Sequence, residues 1–174
     1  MTDLKLINQD ALKVQQEAAP EIASHLLEAA ELAEKTVREL QQLKHIRRIN
    51  DPHARSGGAH HYWVAGFEWI KPNSEIVPAA FGYDLQQWKE VGNPTPPWRV
   101  LLYAPPQENL ISAIRSTCEL KGIKMDRFTE NPSLSNPGKN DLLWIPIPAE
   151  FLRGCDTAPL LAGAVNAFLG SIID

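Results

Sequence analysis

The feature that most constrains this fold is the stretch of residues 157–173, which contains no charged side chain. Large apolar residues recur along it with the 3.6-residue period of a helix and form one broad face. The opposite face consists of small residues and one asparagine, so neither face suits contact with water. We therefore expect the fold, or a second copy of the chain, to enclose this helix on all sides. The residues of the broad face are Leu160, Leu161, Ala164, Val165, Phe168, Leu169, Ile172 and Ile173.

Composition narrows the class of protein. The helix is too short for a comfortable bilayer span, which needs about 20 apolar residues, so we expect no membrane partner. The formal net charge of -4 gives no basic excess, so nucleic acid is an open but not a favoured partner. The two cysteines make no disulfide framework, and the N-terminus lacks the pattern of a signal peptide. We expect a soluble cytoplasmic protein.

The N-terminal part of the chain predicts helices. Residues 20–49 carry an apolar stripe with the period of a helix. Their acidic residues come early and their basic residues late, and this order of charges suits the helix dipole. Such a helix would be about 45 Å long, well beyond the ~16 Å radius of gyration of a domain this size. We therefore expect a helical arm over residues 1–50 and an α+β domain over residues 51–174, closed by the buried C-terminal helix in one folding unit. The alanine patch at residues 29–33 would let the C-terminal helix, or a second copy, approach closely.

The remaining patterns favour strands. From His61 to Ile70 the apolar period changes to two, which indicates a strand. The fold class we predict is α+β, with a roughly five-stranded mixed sheet, packed helices and a long N-terminal helical arm. Residues 50–60 are predicted as a loop, and residues 99–128 as a parallel crossover. Further strands are predicted at residues 75–83, 99–104, 123–128 and 141–147, with helices at 85–91 and 106–121.

The order of one helix, three strands, a helix and a strand is similar to the core of PD-(D/E)XK nucleases. That resemblance implies a divalent cation between an acid on the second strand and a Glu-x-Lys-like pair on the third. Here the third strand, residues 99–103, has no carboxylate, while Glu68 and Lys71 belong to the first strand and Glu75 opens the second. We expect either a different fold or this fold without its metal site.

The densest cluster of basic side chains runs from the end of the long helix into the following loop. One interpretation is an anion site, in which arginines hold a phosphate or carboxylate beside the Gly57–Gly58 amides. A variant places a histidine with Glu68 on a metal, although the spacing fits no common ligand set. The simpler interpretation is that these basic residues lie at a solvent-exposed helix end and in the polar loop that follows it, and bind no ligand. The candidate ligand-binding residues are Arg47, Arg48, His53, Arg55, His60 and His61.

Three aromatic residues share one face of the first strand. Trp63, Phe67 and Trp69 could form the floor of a ligand pocket or of a partner groove. Aromatic strand faces are more often ordinary core beneath a helix. Exposure separates the two interpretations.

No set of acid, base and nucleophile can be assembled from the sequence. Cys155 precedes the C-terminal helix, where a thiol's pKa falls, and His60 or His61 could pair with it. Its neighbours match no nucleophile signature, and Asp156 would oppose a thiolate. We therefore predict no catalytic residue, no metal and no cofactor.

The function these patterns favour is a non-catalytic interaction or regulatory protein. We expect a homodimer assembled through helical elements, with a further protein partner conceivable. The alternative is an enzyme or sensor that binds an anionic small molecule or nucleic acid near Arg47–His61. Among enzymes, a metal-dependent nuclease is the first choice.

Overall fold

The computed structural model describes residues 20–49, 53–57, 60–84, 98–103, 108–130 and 140–174. Side chains are described for residues 28–49, 63–84, 98–103, 109–126 and 143–174. The helices predicted before Pro20 and at residues 85–91 lie outside the described residues.

The described residues form an α+β fold, as predicted. The helices are α1 (Pro20–Leu40), α2 (Glu108–Leu120), α3 (Ala149–Leu152) and α4 (Ala158–Ile173). The strands are β1 (Ile46–Arg47), β2 (His53–Gly57), β3 (His60–Ile70), β4 (Ile76–Asp84), β5 (Trp98–Tyr103), β6 (Asp126–Glu130) and β7 (Asn140–Pro146).

The strands lie in the order β1-β3-β4-β5-β7-β6, and β2 pairs with the same edge of β3 as β1. Every described neighbour pair is antiparallel, so the prediction of a mixed sheet was wrong. Strands β5 and β6 run parallel across α2, but β7 lies between them. Burial explains why β7 is the inner strand and β6 the edge strand. Leu143, Trp144 and Ile145 of β7 are at most 1% exposed, while Asp126 of β6 is half-buried at the edge.

The long helix ends earlier than predicted. It stops at Leu40, which makes it about 31 Å long, and the chain leaves it through a tight turn in which the Leu43 amide donates to the Leu40 carbonyl. Ile46 then pairs with Trp69 and is buried, so packing against the sheet replaces further helix. The residues predicted as a loop contain β2, whose polar sequence suits an edge strand.

The main core lies between one sheet face and the helices. Ala29, Ala33, Val37 and Leu40 of α1 belong to the same core as the sheet, and α1 packs against α4 as the alanine patch suggested. The apolar face of the described part of α1 therefore rests on the domain. A protruding arm before Glu28 stays a prediction.

Most of the broad apolar face of helix α4 is buried, but one flank of the helix is exposed. Leu161, Val165 and Phe168 are fully buried, whereas Leu160 is 53% exposed and Gly163 and Ala167 are also exposed. Within a single chain, the expectation of complete enclosure is therefore wrong for this one flank. We call Leu160, Gly163 and Ala167 the open flank of α4.

Candidate functional site

The predicted anion cluster is divided between two ends of β3. Arg47 pairs with Glu68, whereas Arg55 pairs with Tyr62, six residues away along the strand. At about 3.4 Å per residue, these two positions are about 20 Å apart. Backbone pairing places His53, His60 and His61 in the β2–β3 hairpin with Arg55. The backbone positions of the six residues are therefore spread along β3.

Arg48 contacts a carboxylate of the sheet. Its Nη1 atom donates to Glu68 Oε1 at 3.1 Å, and its backbone has a positive φ of 50°. The other carboxylate considered for a nuclease site is also paired, since Lys71 Nζ lies 3.0 Å from Glu75 Oε2. This hydrogen bond lowers the pKa of Glu75. Both carboxylates serve ion pairs on the surface.

The aromatic face of β3 lies in the core. Trp63, Phe67 and Trp69 are 2–4% exposed beneath the helices. Trp63 stacks on Tyr83 with ring centroids 5.6 Å apart, and burial raises the pKa of Tyr83. Their low exposure therefore assigns these three side chains to the core. An edge of the Trp69 ring also reaches a surface groove.

That groove, of about 510 Å³, lies at the C-terminal end of α4. We call it the basic groove because Lys44, His45, Arg47 and Lys71 line it. A hydrogen bond in this groove links the sheet to the end of α4: Trp69 Nε1 donates to Asp174 Oδ1 at 3.3 Å.

His45 also contacts α4 in this groove. Its Nε2 atom lies 2.5 Å from Asn166 Oδ1, where the protonated nitrogen can donate to the amide oxygen. Its ring meets Trp69 edge-on, with centroids 4.5 Å apart. Of the residues predicted to bind an anion, Arg47 lines this groove.

A larger cleft, of about 910 Å³, lies between α1, the turn before α4 and the start of β5. We call it the acidic cleft. Four carboxylates line it against one ammonium group, Lys35. The carboxylates are Glu28, Glu31, Glu39 and Asp156.

The interior wall of the acidic cleft is apolar. Leu32 of α1, Trp98 of β5 and Leu152 of α3 contribute to it. Cavities of this size that combine apolar walls with a few charged groups are typical binding sites. Sequence reasoning missed this cleft because its walls come from three distant segments.

Cys155 lies in the wall of the acidic cleft, and its thiol is poorly suited to nucleophilic attack. Burial and then the charge of Asp156 raise its pKa, so the thiolate is disfavoured. Its single S–H group lies within reach of two carbonyl oxygens, that of Phe151 at 3.3 Å and that of Leu160 at 3.5 Å.

A buried ionic group on the opposite sheet face was also missed. Arg99 is 7% exposed, lies over the Trp144 ring at 5.6 Å, and has its Nη1 atom 3.5 Å from Asp126 Oδ2. Burial lowers the pKa of Arg99, while the charges of Asp126 and the fully buried Asp84 oppose that change. Only the strand order brings these residues together.

Among the described residues, no group of three or more His, Cys, Asp or Glu side chains is placed to hold a metal ion. None of the described helices is long and apolar enough to span a membrane. No protein-family model, curated protein or solved structure matches this chain.

Proposed function

We propose that this chain is a non-catalytic interaction protein that acts as a homodimer, with the open flank of α4 as the interface. The observation that carries the proposal is the exposure of this flank on a helix without a single charged side chain. Covering Leu160 and its small neighbours removes apolar surface from water, which favours association.

A second copy is the occupant that this flank suits. In a two-fold interface each patch meets its own copy, and an uncharged patch meets itself without like-charge repulsion. A Cβ atom added at Gly163 would have no atom within 4 Å, so the space beside it is open to another backbone. The alanine stripe of α1 is already covered by α4, so among the described side chains the open flank is the uncharged helical surface that we assign to assembly.

Disulfide trapping tests this geometry. In a Cys155→Ser background, Ala167→Cys is expected to give a cross-linked dimer under mild oxidation, because a two-fold axis at the flank brings the two copies of residue 167 close together. The control is Ala113→Cys, another exposed helical position, on α2. Equal cross-linking of the two variants, or none from Ala167→Cys, would contradict the proposed interface.

The basic groove supports a second candidate function, the binding of a small anion. Lys44, His45, Arg47 and Lys71 line this groove with one carboxylate, that of Asp174, and Lys71 is also paired with Glu75. We expect Lys44→Ala/Arg47→Ala to weaken pyrophosphate binding about tenfold or more in titration calorimetry, and salt to weaken it as well. Arg115→Ala/Lys124→Ala, which removes two exposed cations elsewhere, is the matched control. Binding that both variants retain equally would exclude this groove.

A further inference from the structure

The acidic side chains of the acidic cleft follow one face of α1. Glu28, Glu31, Lys35 and Glu39 are spaced three and four residues apart, so they lie in a row along the helix. At 1.5 Å per residue, this row is about 16 Å long. An elongated ligand can contact the whole row, whereas a small amine would meet only one part of it.

The charge of this row is net negative. Lys35 Nζ is 3.5 Å from Glu31 Oε2, and both side chains are largely exposed, so this pair offsets one carboxylate at most. At the other wall, Asp156 lies beside the first turn of α4, where the helix dipole favours an anion. The carboxylates of α1 therefore give the cleft its attraction for a cation.

The apolar interior of the cleft favours a ligand that also carries apolar groups. Leu32 and Leu152 are half-buried and pack on the core, and Trp98 lies behind them. Apolar side chains placed there would exclude water from the carboxylate row and strengthen its electrostatic contacts. The matching ligand has a basic edge and an apolar edge.

We propose that the acidic cleft binds a basic amphipathic peptide segment of a partner protein. Its lysine or arginine side chains contact Glu28, Glu31 and Glu39, and its apolar side chains cover Leu32 and Leu152. Residues 1–19 of this chain do not match that chemistry, because they carry three acidic residues and two lysines. Charge complementarity therefore favours a separate, cationic segment.

The test uses a fluorescein-labelled peptide of about 12 residues, with leucine and lysine in a helical pattern, long enough to span the row. The same peptide with glutamate in place of lysine is its comparison. Fluorescence anisotropy should show binding of the lysine peptide to the full chain, weakened by salt, and no binding of the glutamate peptide. Equal binding of the two peptides overturns the proposal.

Matched variants locate the site. Glu31→Lys/Glu39→Lys should raise the Kd for the lysine peptide at least about tenfold. Glu119→Lys/Glu150→Lys makes the same change of net charge at exposed positions outside the cleft and should leave the Kd within about twofold. Equal weakening by both variants overturns the site. A second result also overturns the proposal: the lysine peptide does not bind, and Glu31→Lys/Glu39→Lys abolishes self-association. In that case a second copy of the chain would occupy the cleft.

Cys155 supplies an independent readout. Cys118 is fully buried, so an alkylating reagent acting on the folded chain reports on Cys155 in the cleft wall. The lysine peptide should slow this alkylation at concentrations above its Kd. A bound peptide that leaves the alkylation rate unchanged lies elsewhere and contradicts the proposal.

Discussion

Replacement of Gly82 by alanine is expected to destabilise the protein by about 3 kcal/mol or more. A Cβ atom at this position would lie 1.9 Å from the Trp63 carbonyl oxygen and 2.8 Å from Val64 Cγ1. The nearer atom belongs to the backbone of the paired strand β3, so the clash cannot be relieved by a side-chain rotation. Thermal unfolding should show the melting temperature lowered by roughly 6–12 °C.

Gly170→Ala is the control for this substitution. Its Cβ atom would make ordinary contacts, at 3.6 Å from Asp174 Oδ2 and 3.9 Å from Trp69 Cζ2. Because alanine favours a helix over glycine, we expect this variant to be as stable as the unmodified chain or up to about 1 kcal/mol more stable. If Gly82→Ala behaves like Gly170→Ala, the register of β3 and β4 is wrong.

Replacement of Phe168 by alanine is expected to cost about 3–5 kcal/mol of unfolding free energy. Phe168 is fully buried and meets Phe151 edge-on with centroids 5.3 Å apart, so truncation leaves a cavity between α3 and α4. Chemical denaturation measures the loss.

The matched control is Leu120→Ala, because Leu120 is 89% exposed at the end of α2. Its truncation removes no buried contact and should change the unfolding free energy by about 0.5 kcal/mol or less. Equal losses at Phe168 and Leu120 would contradict the packing of α4.

Local patterns in the sequence predicted much of the fold because local physics decides those features. The period-two pattern assigned Trp63 and Val64 to opposite faces of β3, and they belong to different apolar clusters. Gly122 also predicts where α2 ends, with Ile123 folding back on Cys118, and the structure confirms this cap: Gly122 has φ +66°, and the Ile123 amide donates to the Cys118 carbonyl at 2.8 Å.

Strand order could not be predicted in this way. Whether β6 or β7 pairs with β5 depends on which strand buries more apolar surface, and both follow the same helix. Pro78 predicts that β4 is an edge strand or contains a bulge, but β4 lies between β3 and β5, so the edge prediction was wrong. Pro78 pairs with Glu68 of β3, and the pairing of β4 with β5 begins at the next residue, Ala79, so the proline lies at the end of the β4–β5 ladder.

The candidate sites were the least predictable part. Basic residues that are close in sequence, such as Arg47 and Arg55, extend along an edge strand and separate. Residues that are distant in sequence, such as Glu31 and Asp156, line one cleft. A strand moves neighbours apart by about 3.4 Å per residue, so proximity in sequence gives a site only where a turn folds the chain back.

The central claim is that a second copy covers the open flank of α4, and the solution mass tests it most directly. Light scattering coupled to gel filtration at micromolar concentration should give about 39 kDa, twice the 19.4 kDa of one chain. Gly163→Leu, which places a large side chain in the space between the copies, should return the mass to that of one chain. A mass of 19.4 kDa for the unmodified protein would contradict the claim.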